Sequence, residues 1–250
     1  MKSILNIAAY RFVALTHLPD WRDCIRAQAE AHALKGTVLL AGEGINLCVA
    51  GVEAGVRGWL AWLHTQEPFK ALEAKESWST GVPFGKLRVK VKPEIIRMNH
   101  AAIQPQAGRA PSVDAKTLAR WLAQGTDDTG REVALLDTRN AFEADAGRFQ
   151  GALDWRIGRF SEFPDALLAH RSELAGKTVV SYCTGGIRCE MAALFMARAG
   201  IANVLQLEGG ILKYFEQTGG THFDGECFVF DARTTLDAGL CPTAPATPCP

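Results

Sequence analysis

The chain has 250 residues, of which 48% are hydrophobic and 22% charged, and its 27 Lys+Arg balance its 27 Asp+Glu. Such a profile fits one large or two modest soluble globular domains. No apolar run approaches the ~18 residues that a membrane-spanning helix needs, and no membrane association is expected.

The opening stretch "MKSILNIAAYRFVAL" is interrupted by Asn6, Tyr10 and Arg11, with no small-residue cleavage site after it. It reads as a first β-strand over residues 3–15 of a cytoplasmic protein rather than as a signal peptide. "LPDWRDCIRAQAEAHALKG" follows with helical spacing at Trp21, Cys24, Ile25, Ala29 and Ala33, and Gly36 offers a stop. "TVLLAGEGINLCVAG" is two apolar runs around Gly42-Glu43-Gly44, a hairpin signal. "EAGVRGWLAWLHT" carries a helical stripe at Val56, Trp59, Leu60 and Leu63, and "LEAKESWS" and "GKLRVKVKPEII" read as further strands. The order β-α-β-β-α-β predicts a ferredoxin-like sandwich over residues 1–95, with four strands covered on one face by two helices and the other face open.

Residues 93–112 lose periodicity and collect Pro, Gly and Gln, which predicts a linker over 96–112. Beyond it "VDAKTLARWLAQG" predicts a helix with Ser112 or Asp114 as N-cap. "EVALLDTR" predicts a buried strand, "SEFPDALLAHRSEL" a helix and "KTVVSYC" a second buried strand. "CEMAALFMARAG" predicts a helix closed by Gly200, "NVLQLEGG" a third strand and "ILKYFEQTGG" a last helix. Alternation of strand and helix predicts a parallel α/β domain over 113–222. Residues 223–250 form an extension, with a disordered tail expected from about 241.

The seven cysteines (24, 48, 183, 189, 227, 241 and 249) are odd in number, irregular in spacing and without any C-x-x-C. Reduced thiols are therefore expected, with no disulfide framework, and the last three lack a fourth ligand for structural zinc. Cys24 and Cys48 fall at apolar positions of a helix and a strand and are expected to be buried. Cys183 differs. In "SYCTGGIRCEM" it ends a buried strand and is followed by Thr184, Gly185, Gly186, Ile187, Arg188 and Cys189. The glycines permit a tight turn whose amides face an anion, and the start of the following helix reinforces the field. The same field lowers a thiol pKa. Burial as a small apolar residue explains neither the glycine pair nor the arginine, so Cys183 is read as a nucleophile.

Cys-x-x-x-x-Arg between strand and helix, with "LLDTRNAFEADAGRFQGALD" upstream and "VLQLEGGILKYF" downstream, resembles the rhodanese fold. Asp137, Arg139, Glu143, Gly147, Gly151 and Ala152 fall on that fold's second signature, with Arg148 where a histidine is usual. Related phosphatases separate Cys from Arg by five residues. The four here suit a persulfide or smaller group and argue against phosphatase chemistry. Over residues 4–233, "NIAAYRFVAL", "LKGTVLLAGEGIN", "KESWS", "RVKVKPEII", "CTGGIRCE", "QLEGGILKY" and "GECFVFDAR" together resemble the family of oxygen-dependent tRNA wobble-uridine hydroxylases. That family joins an acylphosphatase-like domain to a rhodanese domain. The resemblance implies conversion of the wobble uridine to 5-hydroxyuridine, with molecular oxygen as co-substrate and the loop cysteine essential. Its longer members add a Cys-rich extension beyond the last motif, where only a short tail follows here, so no function of that extension is expected.

The residues themselves carry a complementary signal. Residues 1–100 hold 13 Lys+Arg against 9 Asp+Glu and the remainder 14 against 18, so the basic half suits an anionic partner. In "GKLRVKVKP", Lys86, Arg88, Lys90 and Lys92 alternate with Leu87, Val89 and Val91, which places the cations together on one face of a strand. They are candidate phosphate contacts for a tRNA anticodon stem-loop, together with Arg97, and Trp78 is a candidate stacking platform. No haem, flavin or two-His-one-carboxylate signature is present, so neither a metal nor a tightly bound cofactor is expected, and no obligate protein partner is evident. Cys183 could attack uracil C6, with Arg188 bracing the loop or meeting enolate charge, or could carry a persulfide or an oxidised sulfur. Asp137 and Arg139 are auxiliary candidates, and Cys189 is a candidate resolving thiol or a buried structural one. A rhodanese sulfurtransferase and a non-catalytic RNA-binding or redox-sensing module are the rival readings.

Overall fold

The computed structural model describes residues 4–100 and 102–243. The chain divides into two compact units. The first runs to Ile96 and includes Phe230–Thr234; the second comprises Arg97–Val229 and Thr235–Leu240.

In the first unit, β1 (Ile4–Phe12), α1 (Leu18–Ala31), β2 (Lys35–Ala41), β3 (Gly44–Val52), α2 (Glu53–Thr65), β4 (Ala74–Ser79) and β5 (Leu87–Val91) follow in order. The sheet has five strands rather than four, ordered β4-β1-β3-β2-β5, with β5 parallel to β2 at one edge and the other pairs antiparallel. Period-two alternation sends Leu5, Ile7, Ala9, Val38, Leu40, Ile45, Leu47 and Val49 into one core with Ile25 and Ala29 of α1 and Val56, Trp59 and Leu63 of α2. At about 25 cal/mol per Å² of apolar surface, each fully buried aliphatic side chain contributes roughly 1.5–3 kcal/mol.

Gly36 is not the stop of α1. That helix ends at Ala31, and Gly36 lies within β2 at φ +138, where a Cβ would sit 2.2 Å from the Cys48 carbonyl oxygen. The expected burial of Cys24 and Cys48 also fails. Cys24 is exposed, one position off the buried stripe of α1, and Cys48 is half-buried on the sheet face opposite the helices. That second face is partly covered by the returning segment. Arg233, in a 2.6 Å ion pair with Asp231, donates to Ser77 Oγ at 2.7 Å, and Asn6 Nδ2 donates to Ser79 Oγ at 3.0 Å.

The second unit contains β6 (Ser112–Val113), α3 (Ala115–Gln124), β7 (Val133–Asp137), α4 (Ala141–Ala146), β8 (Gly147–Phe149), β9 (Leu153–Asp154), α5 (Phe163–His170), β10 (Thr178–Tyr182), α6 (Ile187–Arg198), β11 (Val204–Leu207) and α7 (Gly210–Thr218). The short strands β12 (Phe223–Gly225), β13 (Cys227–Phe228) and β14 (Thr235–Leu236) follow. Its five-stranded sheet is parallel throughout, in the order β6-β11-β10-β7-β9. Asp114 caps α3 by accepting from the amides of Lys116 and Thr117, which settles the choice between Ser112 and Asp114. β10 is buried at every position, as a central parallel strand must be.

The stretch read as a linker is a packed arm of this unit. Met98, Ile103 and Ala110 are buried, His100 meets the Phe195 ring at 4.8 Å, and Ala110 accepts from Gln206 Nε2. Pro, Gly and Gln erase its periodicity, but widely spaced apolar residues still anchor it. The extension is ordered as well: β12 pairs with β8 and β13 with β14. Of the expected disordered tail, residues 244–250, including Cys249, lie outside the described residues.

Candidate active site

Cys183 follows β10 at the carboxyl end of the parallel sheet, the edge where open α/β sheets bind ligands. The chain turns through Thr184 and Gly185 to Gly186, which adopts φ +104 as the N-cap of α6. Gly186 N–H reaches the Cys183 sulfur at 3.1 Å. Cys189, one turn into α6, places its own sulfur 3.9 Å from that of Cys183 and 3.0 Å from the Gly186 carbonyl oxygen. Cys183 is buried, whereas Thr184, Gly185 and Ile187 are half-buried and the space over Gly185 is open.

Burial alone would push the Cys183 thiol up. The Cys189 thiol, the Arg188 guanidinium and the amides of Cys189 and Gly186 outweigh it and hold the thiol down to about 5. These groups favour the thiolate over the thiol. Cys227 is the contrast: it is buried in the same unit, and burial pushes its thiol up to about 12.

Arg188 does not project freely into the loop. Its two terminal nitrogens hold the Glu143 carboxylate at 2.5 and 2.7 Å, with both side chains buried. Burial works against the Arg188 charge and Glu143 more than restores it. Glu143 is fixed in turn by a capping box, in which its carboxylate accepts the Asn140 amide at 3.1 Å. Asp137 and Arg139 act one layer deeper. Asp137 accepts from Arg139 Nη2 at 2.6 Å and from the Tyr182 hydroxyl at 2.8 Å, while Arg139 donates to the carbonyls of Glu143 and Gly147. They hold the α4 turn that carries Glu143.

A second support comes from below. The amides of Ile211 and Leu212, in the first turn of α7, donate to the carbonyls of Cys183 and Thr184 at 2.9 and 3.1 Å. This approach requires glycine at 210, because its φ is +68 and a Cβ there would lie 2.4 Å from the Cys183 carbonyl oxygen. Thr184 Oγ1 donates to the Phe228 carbonyl at 3.3 Å. The Phe228 ring meets Phe142 edge-on at 5.1 Å, and Phe142 is 48% exposed.

Lys86, Arg88, Lys90 and Lys92 are all exposed along edge strand β5, and no ion pair engages them among the described residues. Trp78 does not join them. It packs half-buried against the helix-covered core from β4, at the opposite edge of the sheet from the basic strand. Arg97 is exposed, donates to Asn99 Oδ1 at 2.9 Å and belongs to the second unit. Sequence reasoning missed the roles of Glu143, Gly210, Phe142 and Phe228. An Asn-x-x-Glu capping pattern and the glycine pair after β11 were the available signals for the first two.

Two family models match: "UPF0176 acylphosphatase like domain" over residues 4–95 and "Rhodanese-like domain" over residues 115–217. The fold and loop thus define an acylphosphatase-like domain joined to a rhodanese-like domain. The chain is 62% identical to a "tRNA uridine(34) hydroxylase" of Variovorax paradoxus over 240 residues, covering 96% of this chain and 91% of that one. It is 61% identical to a protein of the same name from Bordetella pertussis, covering 98% and 100%. Among solved structures, a rhodanese-like domain from Anabaena sp. matches at 22% identity and TM-score 0.37, over 46% of this chain and 79% of that one. The chain belongs to the tRNA uridine(34) hydroxylase family.

Proposed function

We propose that this chain hydroxylates C5 of uridine 34 in tRNA, consuming molecular oxygen, with Cys183 as the nucleophile. The observation that carries the reading is the Cys183 sulfur, cradled by the Gly186 amide beside the Arg188–Glu143 pair, in a chain 62% identical to a named tRNA uridine(34) hydroxylase. Uracil C5 does not react with oxygen unaided. Addition of the thiolate to C6 forms a C–S bond and moves an electron pair toward C5 and O4, which makes C5 an enolate carbon able to meet an oxidant.

The basic edge of β5 suits the phosphates of an anticodon stem-loop. Phe142, exposed in the unit that carries the loop, is better disposed than Trp78 to stack on a splayed base. The cytoplasm, where thiols stay reduced, is the fitting compartment.

Incubating the purified protein with tRNA in air and analysing the nucleosides tests the reading. The expected product is 5-hydroxyuridine, absent under anaerobiosis and absent with Cys183→Ala although tRNA still binds. A thiolated base would instead mark a sulfurtransferase, and unchanged tRNA would mark a binding module.

A further inference from the structure

Hydroxylation by oxygen needs two more electrons than uridine gives up: O₂ accepts four, and converting C5–H to C5–OH supplies two. The two sulfurs 3.9 Å apart in the loop can supply the rest. Resting on the reading above, we propose that Cys189 is a second catalytic residue, which releases the product by attacking the Cys183 sulfur and leaves a Cys183–Cys189 disulfide at each turnover.

The Cys183 thiolate bonds to C6, and the resulting C5 enolate adds O₂ and a proton to give a C5 hydroperoxide. The C5 proton then leaves as the O–O bond breaks, and the departing hydroxide and this proton make water, leaving a ketone at C5. The Cys189 thiol loses its proton and attacks Cys183 Sγ. The S–C6 bond breaks, and its electron pair forms the C5–C6 double bond of an enolate, which takes a proton to become 5-hydroxyuridine. In sum, uridine, O₂ and two thiols give 5-hydroxyuridine, water and a disulfide. A cellular dithiol then reduces the disulfide by thiol exchange.

The geometry suits this attack. Displacement at sulfur requires the incoming thiolate opposite the bond that breaks, so attacker and base must lie on different sides of Sγ. Cys189 is fully buried, near Gly186 O, Gln206 Oε1 and Leu207 O, beneath the loop. The neighbouring loop residues Thr184, Gly185 and Ile187 are half-buried, and a Cβ added at Gly185 would meet nothing within 4 Å. Closing 3.9 Å to the ~2.0 Å of a disulfide asks for side-chain rotation of about 2 Å in total. Cys227, with its thiol pushed up to about 12, is poorly suited to compete as a thiolate.

The full-length protein, reduced and then freed of excess thiol, is mixed in air with an anticodon stem-loop RNA. The expected result is one equivalent of 5-hydroxyuridine per chain, an equal amount of Cys183–Cys189 disulfide by non-reducing peptide mapping, and continued turnover only when a dithiol is added. Cys189→Ser should lower the rate by about 10²-fold or more and accumulate a covalent protein–RNA species from which a small thiol frees 5-hydroxyuridine. Wild-type product formed with both thiols still reduced, or wild-type turnover by Cys189→Ser, overturns the proposal alone. No 5-hydroxyuridine from the wild type overturns the functional reading and this proposal together. Should Cys189→Ser not fold, the product-to-disulfide ratio of the wild type decides.

Discussion

Gly210→Ala probes the loop without touching any reacting atom. The added Cβ would sit 2.4 Å from the Cys183 carbonyl oxygen and 2.8 Å from both the Gly186 nitrogen and the Thr184 oxygen. All three are backbone atoms of the loop, so no flexible side chain can give way. Restoring an ordinary contact requires a shift of about 1 Å, and the left-handed φ of +68 adds its own cost for alanine. Strain of about 1–3 kcal/mol for the backbone and a similar amount for overpacking predict a total loss of roughly 2–6 kcal/mol. A 1 Å displacement of the Cys183 loop should lower kcat by about 10²-fold. Denaturant titration and single-turnover formation of 5-hydroxyuridine measure the two effects. Gly185→Ala is the control: its Cβ would meet nothing within 4 Å, and stability should stay within about 0.5 kcal/mol of wild type. Wild-type stability and kcat in Gly210→Ala would refute the buttressing role of α7.

Alkylation of Cys183 should rise with pH about a midpoint near 5 rather than the ~8.5 of a free thiol. Because the folded value is depressed, the stabilisation it gives is complete above the free-thiol range and is lost as pH falls through about 5. Cys183→Ala should remove that part of the pH dependence, and an alkylation midpoint near 8.5 would contradict it. Glu143→Gln leaves the buried Arg188 charge without its partner and should cost about 3–5 kcal/mol in a denaturant titration; a loss under 1 kcal/mol would show that the brace is dispensable. Replacing Lys86, Arg88, Lys90 and Lys92 by Gln should weaken tRNA binding and reduce its log–log salt slope by about 0.7–0.9 for each phosphate no longer neutralised, with the melting temperature unchanged; an unaltered slope places the RNA elsewhere. Phe142→Ala should weaken stem-loop binding by about 1–3 kcal/mol at little cost in stability, while Trp78→Ala should do the reverse; the opposite pattern would restore Trp78 as the platform.

What was legible in the sequence followed from local physics. The strand–helix order of the first unit, the Gly42-Glu43 turn and the cysteine loop each rest on residues adjacent in the chain, and the structure reproduces them; in the second unit it adds β6, α4, β8 and β9 to the elements expected. Pairings distant in sequence were not legible. The fifth strand of the first sheet was visible as a strand, but its parallel pairing with β2 is not encoded in its own pattern. The arm at 97–112 looks like a linker because its buried residues are too far apart to form a period. Trp78 illustrates the same limit: an aromatic near a strand end reads alike whether it meets solvent or a core.

Arg188 shows how a long-range partner alters chemistry rather than only packing. Read from the sequence, it was free either to brace the loop or to meet charge on the substrate. The structure commits both of its terminal nitrogens to Glu143, 45 residues earlier in the chain. The bidentate pair uses two of the five guanidinium N–H donors and fixes where the group lies. Its charge lowers the Cys183 thiol from that fixed position. The Gly186 amide, already on the Cys183 sulfur, requires no reorganisation to hold charge there. Arg188→Lys should accordingly lower stability more than it lowers the rate of adduct formation per folded molecule, because a lysine loses the fork that matches Glu143. A loss confined to the adduct-forming step, with stability intact, would instead return the arginine to the substrate.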